Sequence, residues 1–390
     1  MGLFDAVSRR GAVPGHVSDS AYLQAMLRTE AALSRAQARV GLIPAGHAEV
    51  IGAACEADRF DIAELGAAAV AAGNPVVPLV EQLRAGVGGD AAAHVHFGAT
   101  SQDIIDSATM LVARAALTAI LADIDTAGEA AARLADEHRQ TVMAGRTLLQ
   151  QALPTTFGAK AAGWLSGLDD VADLLHSAVA PRLAVQLGGG AGTLDVLHPH
   201  GVEVTRLLAE ELGLAAPDIP WHTNRSRIGI LAAALGVAAG ALAKPARDVT
   251  LLAQNEIAEV REGVPGRGAS SAMVHKRNPV AAIATLANTT RVPGLVASIL
   301  TATSGHEHER AAGAWHAEWH PLRELFIAVG SGAAWLADCL THLEVDRDRM
   351  RANIGPDLEK LLEPPDYRAS TGVIIDAALR RHSTRREHRP

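Results

Sequence analysis

The sequence predicts an all-α protein built around a long central helix bundle. Ala, Leu and Val supply most of the 48% of residues that are apolar, whereas aromatic residues make up only 3%. Ala and Leu are strong helix formers. From residue 103 onward, Ala/Leu-rich segments of helical length follow one another, with few residues between them that favour strands. Because long helices bury their apolar stripes against neighbouring helices, this pattern indicates a bundle.

The chain of 390 residues is too long for one compact core. We expect a smaller N-terminal helical domain over residues 1–102 and a central bundle over 103–354. A shortened C-terminal domain, over 355–390, completes the chain. Only about 35 residues follow the bundle, which is too few for an independent core, so we expect them to pack on the bundle as one or two helices. The basic end beyond Arg380 is expected to be frayed.

Individual helices are predicted from apolar periodicity and from capping residues. In the N-terminal domain they are expected over 19–40, 46–56 and 60–72. Pro75 and Pro78 are expected to interrupt the chain after them. In the bundle, helices are expected over 103–138, 156–180, 200–213, 225–262, 279–303 and 319–340.

Charge and composition argue against several classes of function. A formal net charge of -8 disfavours a nucleic-acid partner. The apolar stretch 228–243 is shorter than the roughly 20 residues that a bilayer needs, so it predicts a fully buried bundle helix and no membrane partner. Residues 1–30 lack the apolar core of a signal peptide, and Cys55 and Cys339 suit buried thiols in a reducing cytosol. These features predict a cytoplasmic protein.

Two patterns that superficially suggest a cofactor do not fit one. His316 and His320 are one helical turn apart with Glu318 between them, but zinc-protease helices place the Glu directly after the first His. The glycine run 188–192 has the wrong spacing for a dinucleotide-binding loop. We therefore expect no metal ion and no cofactor.

Three stretches are rich in groups that can carry chemistry. Residues 94–103 read His-Val-His-Phe-Gly-Ala-Thr-Ser-Gln-Asp and precede a predicted helix. Thr100 and Ser101 could direct their hydroxyls at an anion near the positive end of that helix. A plain capping loop would have the same composition. Residues 145–156, which include Arg146 and Gln150, also precede a helix and are a weaker signal.

The third stretch, residues 266–279, is the most distinctive. Its glycines make the backbone mobile, and Ser270, Lys276 and Asn278 follow at short spacing before Pro279 opens the next helix. A hydroxyl, a cation and an amide on a mobile loop suit proton transfer beside a carboxylate on which charge develops.

This third stretch resembles the signature loop of the fumarase/aspartase superfamily, which is Gly-Ser-Ser, Met-Pro, then Lys, one residue and Asn-Pro. Residues 270–273 and 276–279 match in order and spacing, whereas Ala269 replaces the usual Gly and Val274 the usual Pro. The first two stretches resemble the superfamily's His-x-Gly-x-Thr-Ser-x-Asp and Gly-Arg-Thr-His-x-Gln segments. The resemblance covers roughly residues 1–350.

Within the superfamily, two details point to the bacterial cycloisomerases. Leu148 stands where lyases such as adenylosuccinate lyase carry a His that protonates the leaving group. Residues 308–319 resemble a cycloisomerase segment with Glu-Arg and Trp-x-x-Glu-Trp features. The resemblance implies an intramolecular lyase that closes 3-carboxy-cis,cis-muconate to 4-carboxymuconolactone in the β-ketoadipate pathway of protocatechuate degradation.

The resemblance also implies roles for individual residues. Ser270 exchanges a proton with the α-carbon, and Lys276 and Asn278 hold the carboxylate on which charge grows. Further groups would bind the oxygens of the tricarboxylate substrate: His96, Thr100, Ser101, Gln150, Ser271, Arg225 and Arg310. For the two arginines, a salt bridge within the bundle is an equally good interpretation.

Two other functions stay open at this point. The runner-up is an adenylosuccinate lyase-like C–N lyase that releases fumarate, because Thr155, Thr156 and the run 275–277 are shared with that branch. A catalytically impaired helical homologue is allowed by the changes at Ala269 and Val274. In the resembled family different subunits supply the three motifs, so the resemblance implies a homotetramer with composite active sites.

Overall fold

The computed structural model describes residues 2–362 and 369–387. Its α-helices, numbered α1 to α15 in chain order, are Asp5–Ser8, Val13–His16, Asp19–Arg39, Ala45–Ala54, Ile62–Ala72, Val76–Val87, Ser101–Glu137, Phe157–Asp173, Gly201–Leu212, Ser226–Leu252, Val280–Ser304, Ala314–Thr341, Arg347–Ala352, Pro356–Lys360 and Ala369–Glu387. Its strands, β1 to β4, are Val142–Thr147, Gln150–Thr156, Val260–Glu262 and Leu343–Val345.

The centre of the molecule is a bundle of long helices, and the predicted all-α class is confirmed. Helix α12 packs against α7, α10 and α11, and α7 also packs against α8. Fully buried side chains fill the spaces between these helices, among them Ile120, Leu235 and Phe326. The four strands form only two small antiparallel pairs, β1 with β2 and β3 with β4.

Most predicted helices are present, and two local predictions are wrong. Pro75 lies in the break between α5 and α6, as expected, but Pro78 does not interrupt the chain: it lies within the first turn of α6, where a backbone N–H has no partner inside the helix. The predicted helix over 225–262 ends at Leu252, and the chain then forms β3. Residues 145–156, which precede α8 as expected, belong to the hairpin of β1 and β2, which was not predicted from the sequence.

The helices α7 and α12 run parallel, which gives the bundle two distinct ends. At one end, Trp315 Nε1 near the start of α12 donates to Asp106 Oδ1 near the start of α7, at 3.1 Å. At the other end, Arg133 Nη2 donates to the carbonyl of Thr341, at 3.3 Å. We call these the head end and the tail end. With 37 residues, α7 separates them by about 50 Å.

One side of the bundle carries exposed apolar residues. The prediction that residues 228–243 form a fully buried helix is wrong for the single chain, because Ile230 and Val237 of α10 are exposed. On the neighbouring α11, Ile283 and Leu300 are exposed as well. By length and composition alone, four of the described helices (α7, α10, α11 and α12) could cross a membrane, but in this structure they pack against one another.

The C-terminal helix α15 packs on α8 and α7, as expected for so short a remnant. Four of its basic residues are ion-paired with acidic residues of these helices, namely Arg381, His382, Arg385 and Arg386. The helix continues to Glu387, so the predicted fraying does not occur over the described residues. Arg385 Nε lies 2.7 Å from Asp173, and His382 Nδ1 lies 2.9 Å from the buried Asp169. The remainder of the basic end lies outside the described residues.

Candidate active site

The three stretches 94–103, 145–156 and 266–279 are called the first, second and third motifs. The first motif runs into the start of α7 at the head end. Thr100 is the residue that caps the helix, and the carboxylate of Asp103, one turn later, accepts a hydrogen bond from the Thr100 backbone N–H at 3.0 Å. Ser101 is the first residue of the helix and is half-buried. The hydroxyl-bearing pair therefore stands at the positive end of a long helix, where an anion is favoured.

Asp103 also holds the segments around Gly189 and His222, which cover the start of α7. Its Oδ1 lies 2.6 Å from Nε2 of the buried His222, and its Oδ2 accepts from the Gly189 backbone N–H at 2.9 Å. Gly188 passes so close to the His222 ring that a Cβ would lie 2.5 Å from it. The glycine run 188–192 is therefore a tight cover over the Asp103–His222 pair.

His96 stands beside the start of α7 with an unusual backbone. Its φ is +61°, in the left-handed region. Its Nδ1 lies 2.6 Å from Oε1 of Glu30, a residue of α3 that is 1% exposed. Burial opposes a charged ring, but the charge and hydrogen bond of Glu30, with a smaller contribution from Asp103, raise the pKa of His96.

Arg225 is paired with two carboxylates in this chain, which favours the salt-bridge interpretation over the predicted substrate-binding role. Its guanidinium lies 2.7 Å from Asp106 and 2.6 Å from Glu318, and all three side chains are buried. Burial opposes the charge of the guanidinium, but the two carboxylates raise the pKa of Arg225 further. Its guanidinium already makes five hydrogen bonds to carboxylate oxygens, so the salt-bridge interpretation is the one that the structure supports.

Arg310 also lies at the head end, and it is better placed than Arg225 to contact a substrate. Its Nη2 donates to the carbonyl of Gly189, the residue whose N–H is held by Asp103. The side chain is half-buried, and burial lowers the pKa of Arg310 while Asp103 and Asp106 oppose that shift. The guanidinium is therefore brought next to the first motif within one chain.

The signature loop lies at the tail end. Its base is a short antiparallel contact, with a bridge between Ala269 and Arg277. In that register Ser270 and Lys276 face each other on the two sides of the loop, and the Asn278 amide donates to the Gly268 carbonyl at 3.1 Å. Gly268 has φ +79°, and a Cβ there would lie 2.3 Å from a backbone oxygen, so only glycine fits.

The Ser270 hydroxyl oxygen accepts two backbone hydrogen bonds, from Ala272 N at 3.3 Å and from Met273 N at 3.2 Å. Two donors aimed at one oxygen favour its negatively charged form. Ser270 is half-buried, whereas Ser271 and Lys276 are exposed. The loop is tied to the bundle through Arg267, which lies 2.6 Å from Asp338 near the end of α12.

The second motif is the β1–β2 hairpin, also at the tail end. Arg146 is used structurally, because its guanidinium makes a two-point contact with the buried Glu259 at 2.7 and 2.9 Å. Gln150 lies exposed next to the turn. The turn itself is made of Leu148 and Leu149, both with positive φ and with side chains that are 97% and 74% exposed.

One chain thus gathers two separate half-sites. His96, Thr100, Ser101 and Arg310 lie together at the head end. The second half-site, at the tail end, contains Gln150, Ser270, Ser271, Lys276 and Asn278. Because α7 spans the distance between the ends, the two half-sites of one chain are about 50 Å apart.

Comparison with known proteins identifies the family to which a chain with these motifs belongs. A family model described as "Lyase" matches residues 8–294. The 3-carboxy-cis,cis-muconate cycloisomerase of Bradyrhizobium diazoefficiens is 47% identical over 340 residues, covering 86% of this chain and 75% of that protein. The chain belongs to the fumarase/aspartase superfamily of lyases.

Two further members of the superfamily extend the comparison. The nitrosuccinate lyase of Streptomyces davaonensis is 44% identical over 399 residues, covering 99% of this chain and 84% of that protein. The crystal structure of the 3-carboxy-cis,cis-muconate lactonizing enzyme from Pseudomonas putida superimposes with a TM-score of 0.89 at 34% identity, covering 98% of this chain and 99% of that chain.

Sequence reasoning missed the acidic residues that organise this lyase site. Glu30, Asp106, Glu259 and Glu318 are all buried and paired, yet each lies in a different segment from its partner. For Glu30, Asp106 and Glu318, a carboxylate among the apolar residues of a helix was the available signal, since buried charges require partners; Glu259 lies outside the helices. Within the described parts of the chain, no cluster of three or more His, Cys, Asp or Glu residues could hold a metal ion.

Proposed function

We propose that the protein is a cycloisomerase that closes 3-carboxy-cis,cis-muconate to 4-carboxymuconolactone. The observation that carries the proposal is the likeness to enzymes of that name over nearly the whole chain, with a TM-score of 0.89 over 98% of it. The intact loop with Ser270, Lys276 and Asn278 supports an active enzyme rather than an impaired homologue.

In the proposed reaction, a carboxylate of the substrate attacks a double bond of the same molecule. A C–O bond forms, the π electron pair moves toward the carbon next to a second carboxylate, and that carbon takes a proton from the Ser270 hydroxyl. The two N–H donors on the Ser270 oxygen stabilise the alkoxide that remains until it is reprotonated from solvent. Lys276 and Asn278 hold the carboxylate on which charge develops.

Leu148 is compatible with this chemistry. The attacking carboxylate is already ionised and tethered, so no general acid or base is needed at that end of the reaction. A C–N lyase has to protonate its leaving group, and the exposed leucine at the hairpin turn offers no proton. This argues against the adenylosuccinate lyase-like alternative.

A second candidate substrate is nitrosuccinate. The match to nitrosuccinate lyase covers 99% of the chain, whereas the cycloisomerase match from Bradyrhizobium covers 86%. Nitrite leaves as a stable anion, so this elimination also proceeds without an acid at Leu148. Ser270 would then remove a proton from the α-carbon instead of delivering one.

One comparison of substrates separates these activities. The purified protein is mixed in turn with 3-carboxy-cis,cis-muconate, nitrosuccinate and adenylosuccinate, and loss of diene absorbance, release of nitrite and formation of fumarate are followed. We expect the highest kcat/KM with 3-carboxy-cis,cis-muconate. A higher value with nitrosuccinate would replace the proposed function by the second candidate, and turnover of adenylosuccinate would contradict the argument from Leu148.

The active enzyme is proposed to be a homotetramer in which each site combines half-sites from different chains. The separation of about 50 Å within one chain supports this, because no chain can close the distance itself. The exposed apolar residues of α10 and α11 offer a surface that closed symmetric assembly would bury. The leucine turn of the hairpin is exposed beside Gln150 and is well placed to enter a neighbouring subunit.

A further inference from the structure

The contact between Glu30 and His96 affects the charge of the His96 ring as well as the folding of the N-terminal domain. Glu30 lies in the middle of α3, and its second oxygen, Oε2, is buried and has no partner among the described residues. A buried carboxylate with one oxygen unpaired is costly unless its single partner carries a positive charge. The 2.6 Å contact with Nδ1 of His96 is that single partner.

The segment around His96 is held from several elements. Arg84 of α6 donates to the Val95 carbonyl at 3.1 Å, and Gln37 of α3 donates to the Phe97 carbonyl at 2.6 Å. Glu30 and Gln37 are seven residues apart, so they lie on the same face of α3. The left-handed φ of His96 is therefore maintained by contacts on both sides of it, and the imidazole has one fixed orientation.

The ring has one engaged nitrogen and one available nitrogen. Nδ1 faces Glu30, whereas Nε2 has no hydrogen-bond partner among the described residues, and the side chain is 14% exposed. The charged groups facing the ring are Glu30 from α3, Asp103 from α7 and Arg84 from α6. Two of these three are acidic, and the nearest is acidic, so the local field favours a cationic ring.

We propose that Glu30 is a positioning residue that keeps His96 protonated on both nitrogens, so that Nε2–H is donated to a carboxylate of the substrate. The inference rests on the proposed function, because it requires a carboxylate substrate at the head end. In this proposal His96 supplies the positive charge for a substrate carboxylate. Arg225 does not supply it, because its charge is neutralised by Asp106 and Glu318. A charge-assisted bond to a carboxylate is about twice as strong as a neutral one.

The test is the Glu30→Gln variant, which keeps an acceptor oxygen for Nδ1–H but removes the negative charge. Without that charge, burial and Arg84 oppose the cationic ring and only the weaker effect of Asp103 favours it, so the pKa of His96 falls. The cationic form is present below the pKa, so the variant loses activity at a lower pH than wild type as pH rises. We expect kcat/KM of the variant to fall roughly tenfold more than that of wild type between about pH 6 and pH 8.

Gln37→Leu is the matched control on the same helix face. It frees the Phe97 carbonyl without changing any charge, so it should lower kcat/KM by the same factor at every pH. A pH profile of Glu30→Gln that runs parallel to wild type, as Gln37→Leu should, would mean that Glu30 is merely structural and would overturn the proposal.

A second measurement does not depend on turnover. Exchange of the histidine C2 hydrogen, followed by peptide mass spectrometry over a pH series, gives the titration of His96 in the intact assembly. We expect a raised midpoint in wild type and a lower one in Glu30→Gln. Equal midpoints would overturn the inference whatever the substrate is, whereas a protein that shows the expected midpoints but leaves 3-carboxy-cis,cis-muconate unchanged would contradict only the proposed function.

Discussion

Asp103 and His222 form a buried pair, with 2.6 Å between Oδ1 and Nε2, that joins the start of α7 to the chain preceding α10. The same carboxylate accepts from the backbone N–H groups of Thr100 and Gly189. One side chain thus holds together three separate segments of the head-end half-site. The geometry of the first motif depends on it more than on any of the residues expected to touch the substrate.

We therefore expect Asp103→Ala to destabilise the protein and to abolish activity together. The substitution leaves two backbone donors and an imidazole without their acceptor in a buried place, which costs about 3 kcal/mol. Urea unfolding at one fixed protein concentration measures the loss. The exposed Glu49→Ala, on α4, should change the free energy of unfolding by less than about 0.5 kcal/mol. A loss in Asp103→Ala no larger than that of Glu49→Ala would contradict this description of the pair.

Ser270→Ala tests the proton-transfer assignment. The expected result is a kcat about a hundred- to ten-thousand-fold below wild type, with an unchanged unfolding midpoint, because general acid–base catalysis contributes that much. Ser271→Ala is the neighbouring control, and it should raise KM more than it lowers kcat. Near wild-type turnover in Ser270→Ala would show that another group moves the proton.

Asp123 lowers the free energy of unfolding by an amount that depends on pH. Burial, opposed by Arg10, raises the pKa of Asp123 to about 6. The unfolded chain ionises this group first, so the cost appears as pH rises above about 4 and is complete above about 6. Asp123→Asn should therefore match wild-type stability at low pH and exceed it by about 1 kcal/mol at neutral pH, after allowance for its partial exposure. A difference that is constant across this range would contradict the account.

Leu149 tests the role of the hairpin turn. A charge at the exposed tip should not disturb the fold of one chain, but it should weaken an apolar contact with another chain. We expect Leu149→Asp to shift light scattering toward smaller species and to lower activity at low protein concentration. Val70→Asp, at a position on α5 that is even more exposed, should leave the assembly unchanged. If both variants stay fully assembled, the turn is not an interface.

The fold was predictable from the sequence because its main signal is local. Helical periodicity and capping residues locate α3 and α7 to within a few residues, and the Ser270 loop is recognisable from its spacing. The pairs that organise the site were not predictable, since Glu30 and His96 are 66 residues apart and Asp103 and His222 are 119 apart. Such contacts depend on how the helices pack, and a single sequence does not encode that in any local pattern.

The different surroundings of the two arginines were not predictable for the same reason. Arg225 and Arg310 looked equivalent in the sequence, with a salt bridge and a substrate contact as the two interpretations. In the fold, Arg225 immediately precedes α10 and lies between two buried carboxylates, whereas Arg310 lies in the loop before α12 and reaches the Gly189 carbonyl. Burial decides between the two interpretations, and burial is a tertiary property.

The most direct test of the composite site is complementation between two inactive variants in the 3-carboxy-cis,cis-muconate assay. Ser270→Ala damages the tail-end half-site, and His96→Gln damages the head-end half-site. After subunit exchange in equal amounts, verified by native mass spectrometry, about a quarter of the sites combine two intact half-sites, so about a quarter of wild-type activity should return. A mixture of Ser270→Ala with Lys276→Ala, which damage the same loop, should stay inactive. If hybrid assemblies form and the first mixture remains as inactive as the second, the half-sites of different chains do not make one active site.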